Sequence, residues 1–229
     1  MNYQALIFDL DDTLIDFGKG MENCLGKLHA QFFFTHPVKE YKEVFKKIND
    51  ALWELVDKEK IRPQDVKIER FRQLVEHLSL DLDYALIAEV YEEMLGQQAH
   101  WFPGVKETLI HFKKTHKIGV ITNGFGSVQK KKYQLMGIEK ICSSFIISEH
   151  AGVAKPNKVI FDMALKELDV GPSHALMVGD RLESDYQGAL NAGLDFCWVN
   201  PQKKPLPAQF PEPKYIVSSV ADLKTFFLF

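Results

Sequence analysis

Cysteine is scarce in this chain: Cys24, Cys142 and Cys197 are the three in 229 residues, widely spaced and odd in number. That spacing argues against a disulfide framework or a CxxC metal site. It points to reduced thiols packed as small hydrophobes in a cytoplasmic protein. No apolar run approaches the length of a membrane span. The first residues enter a strand-like segment without the basic region and long apolar stretch of a secretory signal. An excess of charge is missing too, since 28 Lys+Arg against 31 Asp+Glu give a net charge of −3. No broad surface for a nucleic-acid polymer or an anionic membrane is expected from that balance. A small anionic substrate needs only a local positive site, so it stays open. The eight histidines show no HExxH-like spacing. There is no GxSxG elbow, which argues against an α/β-hydrolase. No GxxxxGK[ST] loop occurs, and Gly124-Phe125-Gly126 fails the dinucleotide fingerprint because position 129 is Gln. Repeats and low-complexity tracts are absent.

What is present suits a sizeable core: 46% apolar, 12% aromatic and 26% charged residues. Leu6, Ile7 and Phe8 form a short apolar run, as in a strand covered on both faces. From about residue 16 to 100 no strand candidate appears. Tyr41, Phe45, Ile48, Leu52 and Leu55 recur at helical spacing. Phe71, Leu74, Val75 and Leu78 do so after a Pro63 that can start a helix. Leu82, Leu86, Val90 and Met94 give a weaker stripe. Phe32-Phe33-Phe34 reads as core of this helical segment.

Trp101-Phe102-Pro103-Gly104 marks a boundary. Beyond it helices at Val105–Phe112, Val128–Met136, Ile160–Leu168 and Tyr186–Ala192 alternate with strands at Ile118–Thr122, Phe145–Ser148, Ala175–Val178 and Phe196–Val199. Pro201 to Pro213, with five prolines, reads as a loop, and Tyr215–Val217 and Val220–Phe227 close the chain. Such alternation predicts an α/β fold, a three-layer Rossmann-like core with a parallel sheet. Residues 1–15 and 103–229 would form it, and 16–102 would be an inserted helical unit.

Chemistry-bearing residues fall at the ends of the predicted strands, where open α/β sheets bind ligands. Asp9-Leu10-Asp11-Asp12 crowds three carboxylates, which repel unless a cation or proton intervenes. Asp9 and Asp11 are two apart, so both point the same way along an extended segment. One could attack a phosphorus atom while the other handles a proton. The competing reading is turn chemistry, with Asp12 or Thr13 as a helix N-cap. Thr122-Asn123-Gly124 could donate to phosphate oxygens, aided by the N-terminus of the next helix. An Asn-Gly hairpin turn is the alternative, weakened by the helical pattern that follows. Lys155, ahead of a proline-started helix, could reach a phosphate, although most lysines are simply solvated. Met177-Val178-Gly179-Asp180 ends a strand in another acid that suits Mg²⁺. Glu183 and Asp185 could support it or serve as first-turn acids of the next helix.

Together, Asp9-Leu10-Asp11-Asp12-Thr13, Thr122-Asn123-Gly124, Lys155, and Gly179-Asp180 with Asp185 resemble the haloacid dehalogenase superfamily of phosphohydrolases. The helical insertion is similar to that family's type I cap. Ile147-Ser148-Glu149-His150-Ala151-Gly152-Val153-Ala154-Lys155-Pro156 resembles the pyrimidine 5′-nucleotidase branch. So do Asp185-Tyr186-Gln187-Gly188-Ala189 and Cys197-Trp198-Val199-Asn200. The resemblance implies a small phosphorylated metabolite as substrate, a nucleoside 5′-monophosphate first. Asp9 would form an aspartyl-phosphate and Asp11 would move protons. Mg²⁺ would sit on Asp9, the Asp11 carbonyl and Asp180, with Asp185 nearby. Thr122, Asn123 and Lys155 would hold phosphoryl oxygens. Phosphoglycolate, a sugar phosphate and a phosphomutase reaction are alternatives. A dehalogenase is disfavoured by the presence of Asp11, and a non-catalytic binding module by the intact set of groups. Phe17, Trp53, Tyr91 and Trp101 could stack on a base or simply pack.

Overall fold

The structure is a computed structural model that describes residues 3–226. Phe227, expected in the closing segment, lies outside them. Strand β1 (Ala5–Phe8) is buried along its whole length. Its even residues Leu6 and Phe8 pack with Leu109, Phe112 and Leu176. Its odd residues Ala5 and Ile7 pack with Ile160, Phe161 and Ala164. Alternation on two apolar faces puts β1 at the centre of a helix–sheet–helix sandwich.

The other strands are β2 (Lys117–Thr122), β3 (Ser144–Ile147), β4 (Ala175–Gly179), β5 (Asp195–Val199) and β6 (Tyr215–Val217). All pairings are parallel, in the order β3-β2-β1-β4-β5-β6. Phe8 is in register with both Val120 and Val178. Chain direction across the sheet reverses at β1, so the carboxyl ends of β1, β2 and β4 open side by side at the switch point.

The helices before β2 are α1 (Phe17–Leu28), α2 (Val38–Asp57), α3 (Pro63–His77), α4 (Tyr84–Gly96) and α5 (Val105–Phe112). After β2 come α6 (Gly126–Met136), α7 (Ser148–Ala151), α8 (Lys158–Leu168) and α9 (Gln187–Ala192). The insertion α1–α4 is a helical bundle with its own core, built on Phe33, Tyr41, Phe45, Phe71, Leu74 and Tyr91. Phe125 and Val128 of the α6 end join that core, so the bundle leans on the sheet domain.

Several sequence expectations are corrected here. In α4 the buried row is Ile87, Ala88, Tyr91 and Leu95, whereas Leu86 is 47% exposed. Leu82 precedes the helix, which starts after Asp83 accepts hydrogen bonds from the Ala85 and Leu86 amides. The row Ile87, Tyr91 and Leu95 points straight inward, and of the weaker stripe Leu82, Val90 and Met94 are half-buried at the edge of that core while Leu86 faces outward. In α2, Asn49, Val56 and Asp57 are buried while Ile48 and Leu55 only flank the core. Two members of the buried stripe, Asn49 and Asp57, are polar, so apolar spacing passes over them. Only Phe33 of the phenylalanine run is core; Phe34 is 69% exposed. Pro156 does not start α8, whose N-cap is Asn157. The segment Leu182–Tyr186 opens as a π-helical turn before α9.

Helices α8 and α9 touch through Gly188, where a Cβ would fall 2.3 Å from the Phe161 ring and 3.2 Å from the Pro156 Cα. Gly188→Ala should therefore destabilise the protein by about 1–3 kcal/mol, despite alanine's better helix propensity. Urea unfolding checks this, and an unchanged midpoint would refute the close approach.

Candidate active site

Strand β2 ends in Thr122, while β1 and β4 lead directly into Asp9 and Asp180, and the fold brings the acids together. The carboxylates of Asp9, Asp180 and Asp185 offer oxygens that all lie within 4.8 Å of one another. Lys155 Nζ donates to Asp9 Oδ1 at 2.5 Å and to Asp185 Oδ1 at 2.7 Å. Lys155 and Asp185 side chains are each only 1% exposed, so these charges have little water to screen them. Asp185 Oδ2 also accepts the Arg181 amide, and the Thr13 hydroxyl donates to Asp180 Oδ1. Gly179 lets Asp185 approach: a Cβ there would stand 2.2 Å from Asp185 Oδ2.

One ammonium cannot balance three carboxylates. Burial, with Asp185 and Asp11 adding repulsion and Lys155 opposing, pushes the Asp9 carboxyl up to about 7. Burial and then Asp9 and Asp185 raise Asp180 well above the usual carboxylate range. Burial opposes the Lys155 charge, yet Asp185 and Asp9 outweigh it and hold the ammonium above its ordinary value. A cluster of hard oxygens with surplus negative charge fits a divalent cation such as Mg²⁺.

Asp11 stands beside this cluster in a separate cradle. Lys132 Nζ donates to Asp11 Oδ1 at 2.7 Å, and Gln129 Nε2 donates to Asp11 Oδ2 at 2.7 Å. The same Gln129 amide donates to the Thr122 hydroxyl. Asp12 has positive φ and accepts the Phe17 and Gly18 amides, so it is a turn residue leading into α1, whose N-cap is Asp16 rather than Asp12 or Thr13. Burial raises its carboxyl to about 6.

The expected phosphate-holding residues are placed unequally. Lys155 and Asn123 border the cavity, and Thr122 is not in its wall. The Asn123 amide donates to the Lys155 carbonyl and accepts from the Lys155 amide, at 2.8 and 2.9 Å. Its side chain thus clamps the backbone that delivers the ammonium. At the start of α6 the Gly126 amide is already taken by Glu149. Glu183 is exposed and separate from the cluster.

A cavity of about 610 Å³ runs from these acids to the helical bundle, with Phe17, Trp53, Asn49 and Arg70 among its walls. Tyr91 is wholly inside the bundle core, and Trp101 bridges to Ile15 instead. Arg181 pairs with the buried Asp57 of α2, and Asn157 donates to Glu59. Both contacts tie the bundle to the sheet domain. Sequence reasoning missed Gln129, Lys132, Arg181, Asn49, Asp57 and Arg70. For all of these but Arg181 the signal was a polar residue on the buried side of α2, α3 or α6, and Arg181 directly follows Asp180.

Asp9, Asp12 and Asp180 bind protons more tightly folded than unfolded. Their stabilisation is full below the unfolded value near 3.8 and is lost as pH rises towards 7. In EDTA, the urea midpoint should fall between about pH 5 and pH 7.5. His116, pushed down by burial, acts in the opposite sense, so comparison with Asp9→Asn isolates the site. The variant should show a flatter fall, and an unaltered slope would contradict the assignment.

Comparison with known proteins agrees with this geometry. The family described as haloacid dehalogenase-like hydrolase matches residues 6–199. Pyrimidine 5′-nucleotidase YjjG of Escherichia coli K12 is 31% identical over 98% of this chain and 97% of its own. Pyrimidine 5′-nucleotidase PynA of Streptococcus pneumoniae is 29% identical over 97% of this chain and 94% of its own. The crystal structure of the Bacillus subtilis HAD-hydrolase YfnB, bound to magnesium, superposes with a TM-score of 0.90 at 27% identity, covering all of both chains. With the family match spanning most of its length and a relative above 30% identity along nearly all of it, the chain belongs to the haloacid dehalogenase-like hydrolases.

Proposed function

We propose that this chain is a Mg²⁺-dependent phosphoric monoester hydrolase that acts on nucleoside 5′-monophosphates, pyrimidine ones first. The observation that carries the reading is the pair of adjoining carboxyl sites on one cavity. Asp9 is held by Lys155 among Asp180 and Asp185, and Asp11 is held by Lys132 and Gln129. The two relatives named as pyrimidine 5′-nucleotidases support the substrate class.

In this reading Asp9 attacks phosphorus, and the leaving group departs as an alcohol with a proton from Asp11. Asp11 then takes a proton from the water that cleaves the aspartyl-phosphate. Lys155 stays beside Asp9 and offsets charge on the phosphoryl oxygens, with Asn123 fixing its backbone. Asp9, Asp180 and the Asp11 carbonyl, with Asp185 nearby, would hold Mg²⁺, which when bound would supply charge compensation and orientation for the phosphate. Thr122 positions Gln129, which in turn positions Asp11. Residues 16–102 act as a cap that closes over residues 1–15 and 103–229, with Arg181–Asp57 as one contact of the closed form. No helix among the described residues is long and apolar enough to cross a membrane; we place the enzyme in the cytoplasm with reduced thiols.

A phosphate-release screen over nucleotides, sugar phosphates and small phospho-acids should find pyrimidine nucleoside monophosphates turned over fastest. Inert nucleotides beside an active phospho-acid would overturn the substrate class. Asp9→Asn should lower turnover by at least about 10³-fold with the fold intact. EDTA should stop phosphate release and added Mg²⁺ restore it. Activity indifferent to both would remove the metal role.

A further inference from the structure

Arg70 of α3 is one of the most enclosed side chains in the molecule, 1% exposed. Its guanidinium lies over the rings of Tyr91 at 4.5 Å, Phe125 at 5.1 Å, Phe71 at 5.2 Å and Phe45 at 5.9 Å. Among the described residues its one polar contact is a long 3.4 Å hydrogen bond from Nη1 to Asn49 Oδ1. Among the described residues Nε and Nη2 have no hydrogen-bond partner, and neither do the Tyr41 and Tyr91 hydroxyls. No ion pair among the described residues includes Arg70. Burial therefore weakens its hold on the proton.

A buried cation without a carboxylate is expensive, and so is each unmet N–H donor. The aromatic rings supply cation–π attraction. They orient the planar fork but do not meet its in-plane donors. A purely structural role is poorly served by this arrangement, because leucine or methionine would fill the same space at no electrostatic cost. Arg70 and Asn49 both line the cavity that begins at Asp9 and Lys155. With a phosphoryl group at the acids, only the group esterified to it can extend towards the bundle. Phe17 and Trp53 offer flat apolar walls along the way.

We infer that Arg70, with Asn49, is a specificity site that reads acceptor oxygens on the leaving group, the ring carbonyl of a pyrimidine base. This rests on the phosphatase reading for its substrate class and adds the residue that selects within it. Pyrimidine bases present a carbonyl in the ring plane, which suits a planar fork of donors. The long Nη1–Asn49 contact is the one that such an oxygen would join or replace.

The test compares kcat/KM for uridine 5′-monophosphate, phosphoglycolate and phenyl phosphate, which lacks an acceptor on its leaving group. Wild type, Arg70→Met and Asn49→Asp are measured as the full chain with Mg²⁺. In Arg70→Met the ratio of the nucleotide to phenyl phosphate should fall about 10- to 100-fold, the worth of a charge-assisted hydrogen bond. Asn49→Asp gives Arg70 an internal carboxylate, so it should raise the melting temperature and lower the same ratio. Should Arg70→Met fail to fold, Asn49→Asp decides. Ratios within about two-fold of wild type in folded, active variants would overturn the inference and leave the phosphatase reading standing. A fall confined to phosphoglycolate would overturn the base reading in favour of a carboxylate. A wild type inactive on all three esters would count against the phosphatase reading alone. The Arg70 Nε resonance should still shift on adding uridine, and an unmoved resonance with saturating uridine would overturn the inference by itself.

Discussion

The buried contact of Lys155 with Asp9 and Asp185 is the interaction on which the rest of the site depends. Three carboxylates meet where β1 and β4 end, and burial makes their mutual repulsion large. One ammonium, shielded from water, keeps the cluster from being intolerable. Its place is fixed twice over. Asn123 grips the Lys155 backbone from the end of β2. Asp185 is drawn close because residue 179 is a glycine with no Cβ to obstruct it. The remaining negative charge suits a divalent cation.

A second charge pair adds what the first lacks. Lys132 and Gln129 project from α6 and hold both oxygens of Asp11. Two acids only two residues apart therefore sit in different surroundings, one crowded by carboxylates and one cradled by donors. Separate environments are how neighbouring carboxyls take separate roles. The helical bundle finishes the cavity, and its wall around Arg70 differs from the acid end in chemistry as well as position. Contacts such as Arg181 with Asp57 connect a residue beside Asp180 directly to α2. Through that one side chain the bundle is joined to the acid end of the cavity.

The sheet and its polar strand ends were legible because both rest on local signals. A four-residue apolar run that stops at Asp9 marks β1, and one that stops at Gly179-Asp180 marks β4, without any knowledge of partners. Lys155 and Asp185 were reachable through their motifs, though not the bond between them. Lys132 and Gln129 were hidden: they lie 121 and 118 residues from Asp11, and helical spacing marks a face without naming what it meets. Gln129 had even served as the reason to discard a glycine motif. Asn49 and Asp57 were lost because apolar periodicity passes over polar members of a buried stripe. The phase of α4 failed for a related reason, since two apolar rows competed and only tertiary packing chose between them. Asn123 was read as a phosphate donor because its role as a clamp depends on a loop 32 residues away.

Covalent trapping tests most directly whether Asp9 is the group that attacks phosphorus. The full chain with Mg²⁺ would be mixed with uridine 5′-monophosphate, quenched in acid during the first turnover and digested for peptide mass analysis. The account predicts one added phosphoryl group on the peptide that contains Asp9, lost on treatment with hydroxylamine. Phosphoryl on any other residue would contradict it. So would product release through early turnovers with the Asp9 peptide unmodified at every time point.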